Sequence, residues 1–518
     1  MMPDETTVLL LAIFSCLAVA VIQNFKWLRV AQRSHYLPLE TARLERLWFA
    51  RRPVGALWWF LATALALSAY QGPLWFGNNY LLWGAVLAPL CILPTPWRFP
   101  LRGVTSRLSW TPRALRLYLS IFLTQVVVGV LGVYAIGPAG VVIPLFFSAN
   151  LTDLALGLLW YVERNLSMKF VRRAQRRLNR VRPRVVAITG SYGKTSSKGY
   201  VAQLISKSLS TVASPASFNN LMGLSKTINE RLVSGTEVFV AEMGMNAEGR
   251  IRELTGFFPP DVAAITVVGE AHMERLGSRE AIFRAKSEIT EMAPIVVLPI
   301  DQKELRALGD KCERQGKKVI RVSTQGEKAD VVLDSDLGTV VYGYGSEPES
   351  FSMPNFGHSV NVAVALGVSL ALGVARESVI GELEQLPVVA HRAEITSDGR
   401  VTVIDDTYNS NPSGAARAVQ SANQLAQENN SRLLVVTPGM VELGPVQFKR
   451  NFELAQLVIQ TGADLIIVGR TNRKALLEGS AGKAKFFSSR REAVSYAMDA
   501  CGGSGVILYE NDLPDHYP

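Results

Sequence analysis

Residues 185–200 read VVAITGSYGKTSSKGY, an apolar run of β-branched residues feeding a glycine-bracketed Gly-Lys-Thr turn and then a helical pattern. Strand, glycine turn and helix, in that order, set successive backbone N–H groups at a helix N-terminus, where they form an anion cradle. In that setting Lys194 reaches terminal phosphates and the Thr195 hydroxyl sits on a magnesium ion. The glycine spacing is short. A full P-loop needs glycine five residues before Gly193, where this chain has Ile188. Its own string is Gly190, Ser191, Tyr192, Gly193, Lys194, Thr195 and Ser196.

Downstream of this loop, β-rich runs alternate with helical patterns. Residues 185–189, 238–242, 262–268 and 295–298 read as strands of one α/β unit, and residues 433–437, 465–468, 485–487 and 506–509 as strands of another. Such alternation implies mostly parallel sheets with helices on both faces. The join is expected near residues 386–392, where a proline precedes a short polar turn.

Upstream the chemistry changes. Residues 1–184 hold 21 Lys and Arg against 6 Asp and Glu, whereas residues 185–518 hold 33 against 38. The overall charge of +10 therefore belongs to the N-terminal third. No interleaving of aromatic and basic residues points to a nucleic-acid surface, so nucleic acid is not an expected partner. Five apolar segments precede the loop, at residues 8–22, 54–70, 74–93, 117–136 and 140–160. Most approach the ~20 residues needed to span hydrocarbon. A cleaved signal peptide is not expected, because the basic residues follow the first apolar run and Asp4 and Glu5 precede it.

Basic loops alternate with uncharged ones. Residues 26–52 carry seven Lys or Arg, residues 71–79 carry none, residues 98–116 carry five, and nine lie between Arg164 and Arg184. Positive loops stay in the cytoplasm. The expected arrangement is a multi-pass anchor in the cytoplasmic membrane, with its N-terminus outside and the phosphate loop on the cytoplasmic side. Asn150 and Asp153 fall inside the fifth apolar segment; Asp153 is expected to pair with a basic residue, or with Asn150 to mark a lipid-headgroup site. The stretch 164–184 reads as the basic flank of that segment, or as a helix on anionic lipid. The domain division is a membrane region over 1–165, a basic linker over 166–184, an ATP-binding domain over 185–388 and a C-terminal domain over 389–518. Four scattered cysteines, with no C-x-x-C spacing, read as reduced thiols.

Glu242 closes the apolar strand VFVAE, which puts its carboxylate at the carboxyl edge of a parallel sheet, where ligands bind. His272 follows the next strand in AITVVGEAHMERLGS, and Lys286 lies in the helical stretch FRAKSEI. Singly, each has an ordinary explanation: a solvated strand end, a loop histidine and a helix-face charge. Together with ITGSYGKTSSK, SFNNLMGLSKTIN, VAEMGMNAEGRI, NVAVAL, AHRAEI, IDDTYNSNPSG and GMVELG, in that order over residues 185–445, they resemble the Mur ligase family and within it the MurF branch. The resemblance implies a parallel-sheet ATPase domain and a Rossmann-like C-terminal domain. It also implies an ATP-dependent ligase that joins a carboxylate to an amine in cell-wall precursor synthesis.

By the same resemblance, residues 190–196 bind the ATP phosphates, Thr195 and Glu242 bind one magnesium, and His272 bears on a second. Lys286 is carbamylated and helps hold that second ion, and Lys194, Lys286 and His272 carry the catalysis. Asn361 meets adenine, Arg392 and Asp406 reach the nucleotide when the C-terminal domain closes, and Asn219 and Asn220 face the acyl-phosphate site. This chain departs from the family at Val267, where asparagine is usual, at Asn355-Phe356-Gly357-His358 before the adenine asparagine, and at its front, where apolar segments replace the UDP-sugar domain. The expected acceptor is accordingly a lipid-linked or membrane-proximal cell-wall precursor. Two other readings stand beside this one: a ligase resembling poly-γ-glutamate synthase, and a non-catalytic nucleotide-binding membrane scaffold.

Overall fold

The computed structural model describes residues 5–75, 83–101, 107–215, 218–334, 337–350, 359–383, 385–386, 394–397, 401–407, 410–513 and 517. The chain divides into two compact units, one of residues 1–166 with 469–471 and 513–518, the other of residues 167–468 with 472–512.

The first unit is helical. Its elements are Glu5–Arg33, Glu40–Arg51, Val54–Trp75, Gly84–Ile92 and Pro112–Ile136, then a 3-10 turn over Gly137–Val142, the short helix Ile143–Phe146 and the start of Ser148–Val181. Among the described residues, three stretches are long and apolar enough to cross a membrane: Thr6–Arg33, Val54–Gln71 and Pro112–Phe146. The segment expected over 74–93 appears as a nine-residue helix, Gly84–Ile92, about 14 Å of rise, and residues 76–82 before it lie outside the described residues. The segment over 140–160 passes from a 3-10 turn into the short helix Ile143–Phe146 and is interrupted at Phe147 before the long helix begins. Asn24 and Gln125 exchange two amide hydrogen bonds of 2.8 and 2.9 Å.

Asp153 corrects its expectation. It has no basic partner among the described residues; its carboxylate accepts from the Ala42 N–H at 3.0 Å. That donor belongs to the first turn of Glu40–Arg51, whose own N-cap residue, Leu39, supplies no side-chain cap. A helix N-terminus carries unpaired N–H groups and partial positive charge, so Asp153 serves as a cap borrowed from another helix. Asn150 is exposed.

The second unit holds two sheets. The larger comprises β1 (Arg184–Thr189), β2 (Thr211–Ala213), β3 (Val238–Glu242), β4 (Val262–Ile265), β5 (Ile295–Pro299), β6 (Lys318–Ser323), β7 (Val331–Asp334), β8 (Thr339–Tyr342) and β9 (Glu349–Ser350). Its order is β2-β3-β1-β4-β5-β6-β7-β8-β9, parallel up to β7 and antiparallel beyond. One core face packs the helices Lys194–Ile205 and Ser359–Ala371. The other packs Leu221–Arg231, Arg250–Phe257, Arg279–Ser287 and Lys303–Arg314. β1 reads RVVAIT with five consecutive buried residues, as expected of a strand covered on both faces. Because the chain runs from β1 outward to β2 and β3 on one side and to β4 on the other, a crevice opens at the carboxyl end of β1. Ile188 lies in register with Glu242 and Thr189 with Ile265, so the strand ends that flank this crevice carry Gly190, Glu242 and Thr266.

The smaller sheet has β10 (Glu394–Ser397), β11 (Val401–Asp406), β12 (Leu433–Thr437), β13 (Asp464–Val468), β14 (Lys485–Phe487) and β15 (Gly505–Glu510), in the order β10-β11-β15-β12-β13-β14. Only the β10–β11 pairing is antiparallel. Glu510 ends β15 fully buried. Its carboxylate accepts from the Thr437 hydroxyl at 2.7 Å and from the Ser410 hydroxyl.

Burial pushes the Glu510 carboxyl up to about 7. The folded chain thus holds this proton more tightly than the unfolded one, whose carboxyl titrates near 4.5. The associated stability is fully present below that unfolded value and is lost as pH rises through about 7. Across that window Glu510→Gln should therefore flatten the fall in stability by roughly 3 kcal/mol. Urea unfolding of both proteins at pH 5 and pH 7.5 checks this.

Candidate active site

The glycine turn is built by backbone constraints. Gly193 has φ 79°, a conformation costly for any residue with a Cβ, and a Cβ there would stand 1.9 Å from the Asn361 side-chain oxygen. The loop is tied down on its β4 side. Ser191 N–H donates to Val267 O at 2.7 Å, and the Ser191 hydroxyl donates to Gly269 O at 3.2 Å and accepts from Gly269 N–H at 2.9 Å. The Thr266 hydroxyl donates to Tyr192 O at 2.5 Å. Lys194 folds back along the loop, its ammonium donating to Gly190 O at 2.7 Å. Its helix, Lys194–Ile205, opens on this turn, and the first turn of any helix presents N–H groups with no intrahelical partner.

Glu242 is the hub of the polar cluster. Only 1% of it is exposed. One carboxylate oxygen accepts from the Thr195 hydroxyl at 2.9 Å and from Lys198 Nζ at 3.1 Å. The other accepts from the Asn219 amide at 3.1 Å. Gly244 lets Asn219 approach, since a Cβ there would lie 2.7 Å from the Asn219 amide carbon. Asn220 does other work: its side chain accepts from Gly223 N–H at 2.9 Å and caps Leu221–Arg231. Thr195, Glu242 and Asn219 are thus brought together, with Lys198 added.

Lys286 is 1% exposed and has neither a hydrogen bond nor an ion pair among the described residues. Burial drives its amine well below the usual lysine range, and the nearby Lys194 ammonium drives it further. His272 adopts φ 66°, and its Nδ1 lies 3.0 Å from a Glu442 carboxylate oxygen. Burial lowers its imidazole, Glu442 opposes that, and Lys286 and Lys194 act with burial. Glu442 has φ 63°. Two non-glycine residues held left-handed face to face cost about 1–3 kcal/mol each, so the surrounding contacts must enforce them.

Asn361 is buried at the start of Ser359–Ala371, and its carbonyl accepts from the Ser197 hydroxyl at 3.2 Å. Its amide lies against Gly193, at the phosphate turn. Asp406 ends β11, in register with Glu510 and in electrostatic contact with Arg417. Arg392 and residues 355–358 lie outside the described residues. Sequence reasoning missed Lys198, Thr266, Glu270, Glu442 and Arg450. Lys198 had a signal: it follows Lys194 by one helical turn and so shares its face.

Sequence and structure comparisons agree with this architecture. The Mur ligase middle domain matches residues 188–369, and the Mur ligase, glutamate ligase domain, matches residues 391–509. The UDP-N-acetylmuramoyl-tripeptide–D-alanyl-D-alanine ligase of Mycobacterium tuberculosis is 30% identical over 347 residues, covering 64% of this chain and 68% of that protein. MurF from Acinetobacter baumannii superposes with a TM-score of 0.60 at 25% identity, covering 67% of this chain and 77% of that one. MurF ligase from Thermotoga maritima in complex with ADP gives 0.55 at 25% identity, covering 66% and 80%. With a phosphate loop closed by Thr195 and Glu242, and two domain matches in the expected order, the chain belongs to the Mur ligase family and is a MurF-like ATP-dependent ligase.

Proposed function

We propose that this chain joins the carboxylate of a membrane-proximal muramoyl-peptide precursor to an amine of the D-alanyl-D-alanine class, at the cytoplasmic face of the membrane. The observation that carries the reading is the Thr195–Glu242 contact at the head of the phosphate turn, with buried Lys286, unpaired among the described residues, as the second basic centre beside Lys194. A carboxylate is a poor electrophile. Transfer of the ATP γ-phosphoryl group to it makes an acyl phosphate, and attack by the amine then expels phosphate and leaves the amide. Lys194, freed from Gly190 O, neutralises charge gathering on the transferred phosphoryl group. Lys198 holds the Glu242 carboxylate in place, and Asn219 fixes its other oxygen.

The donor set at Thr195 and Glu242, hard oxygens beside a phosphate loop, suits magnesium, which takes the rest of its shell from phosphate and water. Bound there, magnesium supplies charge neutralisation on the phosphates. Lys286 suits carbamylation, because burial pushes its amine toward the uncharged form that adds to carbon dioxide. His272 would bear on the second ion, and Asn361, Arg392 and Asp406 on the nucleotide.

The membrane assignment is supported by the three long apolar helices and by the basic loops between them. In this reading residues 1–165 anchor the enzyme with the N-terminus outside, residues 166–184 lie against anionic lipid, and residues 185–388 and 389–518 form the ATPase and C-terminal domains. The test is purified protein in nanodiscs with ATP, magnesium and D-alanyl-D-alanine, offered UDP-linked or lipid-linked muramoyl tripeptide. Amide product and ADP are expected in equal amounts, faster with the lipid-linked acceptor. ATP turnover independent of both acceptor and amine would refute the ligase reading; preference for the UDP-linked acceptor would refute the membrane-proximal one.

A further inference from the structure

The segment 267–272 has two faces. Its inner face is bonded to the phosphate turn through Ser191 N–H to Val267 O at 2.7 Å and the reciprocal Ser191–Gly269 pair at 2.9 and 3.2 Å. Tyr192 lies so close over Gly269 that a Cβ at Gly269 would sit 2.4 Å from its ring. Its outer face is gripped by the residues that follow β12. Arg450, in the helix Gln447–Gln460, makes a two-pronged ion pair with Glu270 at 2.8 and 2.5 Å. Glu453 holds the same guanidinium at 2.8 Å. Two residues on, His272 meets Glu442 at 3.0 Å, and Glu274 N–H donates to Glu442 O at 3.2 Å. Gly444 packs on the Glu274 backbone, where a Cβ would fall 2.9 Å from Glu274 Cα.

We propose that residues 267–272 act as a strap through which Arg450, a positioning residue, and Glu442 set the phosphate turn and His272 in their working arrangement. Arg450 bonds to Glu270 and Glu453, and it acts through Glu270. Because a fork-shaped guanidinium on a carboxylate fixes orientation as well as distance, the strap ties the C-terminal part of the ligase to the loop that holds the phosphates. Val267, where the family resemblance leads one to expect asparagine, offers only its backbone carbonyl to the turn. The strap rests on the ligase reading for its effect on turnover, but its geometry can be probed without turnover.

The experiment uses full-length protein, Glu270→Ala, Arg450→Ala, the double variant and Arg450→Lys, which keeps the charge but loses the fork. Each single alanine variant should lower kcat about tenfold, a change of one decade in rate per lost fixed contact, while the Kd for AMP-PNP with magnesium moves less than threefold. The double variant should be no worse than either single one, because both remove the same link. Independently, hydrogen exchange of amides 441–446 should slow when wild type binds AMP-PNP. That slowing should vanish in both alanine variants and in Arg450→Lys, whereas slowing at 191–197 persists. Additive losses in kcat, or AMP-PNP slowing at 441–446 that survives the substitutions, would overturn the strap. A wild-type protein that turns over no ATP sinks the ligase reading instead, and the exchange data still decide the strap.

Discussion

Lys286→Ala should lower amide-forming turnover at least about a hundredfold, the scale seen when one preorganised electrostatic group is removed from a transition state. The lysine sits in the core with no acid partner among the described residues, and burial, then the Lys194 ammonium, drive its amine well below the usual lysine range. A group so placed is a liability for folding, and such liabilities persist where function uses them. Carbamylation turns the amine into an anionic carbamate, with loss of a proton, which puts negative charge where Lys194 and His272 otherwise face another base.

Two further results separate this role from a structural one. Acetate or propionate added at tens of millimolar should restore part of the activity of Lys286→Ala, because a small acid fits the space left by the side chain and carries the missing charge. Lys286→Met should lose the same activity yet unfold at a higher temperature than wild type, since it fills the site with apolar volume and buries no amine. Steady-state assays and thermal unfolding check both. Activity within tenfold of wild type in Lys286→Ala would remove the carbamate from the account.

Glu242→Gln should act on both stability and chemistry. The carboxylate holds Thr195, Lys198 and Asn219 at once, and Lys198 is itself buried, with 6% of its side chain exposed. Removing one partner of a buried pair leaves an uncompensated charge, at a cost of about 3–5 kcal/mol. Turnover should also fall by about 10² to 10³, with a higher magnesium requirement, because an amide oxygen is a weaker ligand than a carboxylate. Adding Lys198→Met to Glu242→Gln should recover most of the stability and none of the activity. Urea unfolding with a magnesium titration reads both quantities. Recovery of activity in the double variant would mean that the carboxylate serves only to neutralise Lys198.

Much of this site was legible in the sequence because it is local. The strand–turn–helix of residues 185–200 carries its geometry in the order of its residues, and all eight strands expected from β-branched runs are present. β2, with three residues, and β6 to β11 carried weaker patterns. β7 (VVLD) and β8 (TVVY) are short and partly buried, so neither gives a long apolar run. Hydropathy marks five apolar segments near the N-terminus, and among the described residues three helices are long and apolar enough to cross a membrane. Pro89 within Gly84–Ile92 and the break at residues 137–147 are chain-geometry effects that a sliding window averages away.

Long-range pairings were not legible. Nothing local says that Asp153 caps the helix Glu40–Arg51, 111 residues away in sequence, or that Glu270 meets Arg450, 180 residues away. Such partners are chosen by the fold, whereas Lys198, one turn from Lys194, was within reach of helical spacing.

Our reading is that this chain activates a carboxylate as an acyl phosphate in the crevice at the end of β1. Its most direct test labels both acceptor carboxylate oxygens with ¹⁸O and follows the label with ATP, magnesium and the amine present. One labelled oxygen should appear in inorganic phosphate for each amide formed, because the oxygen that accepts the γ-phosphoryl group leaves with it. Amide formed while the phosphate stays unlabelled would contradict the account.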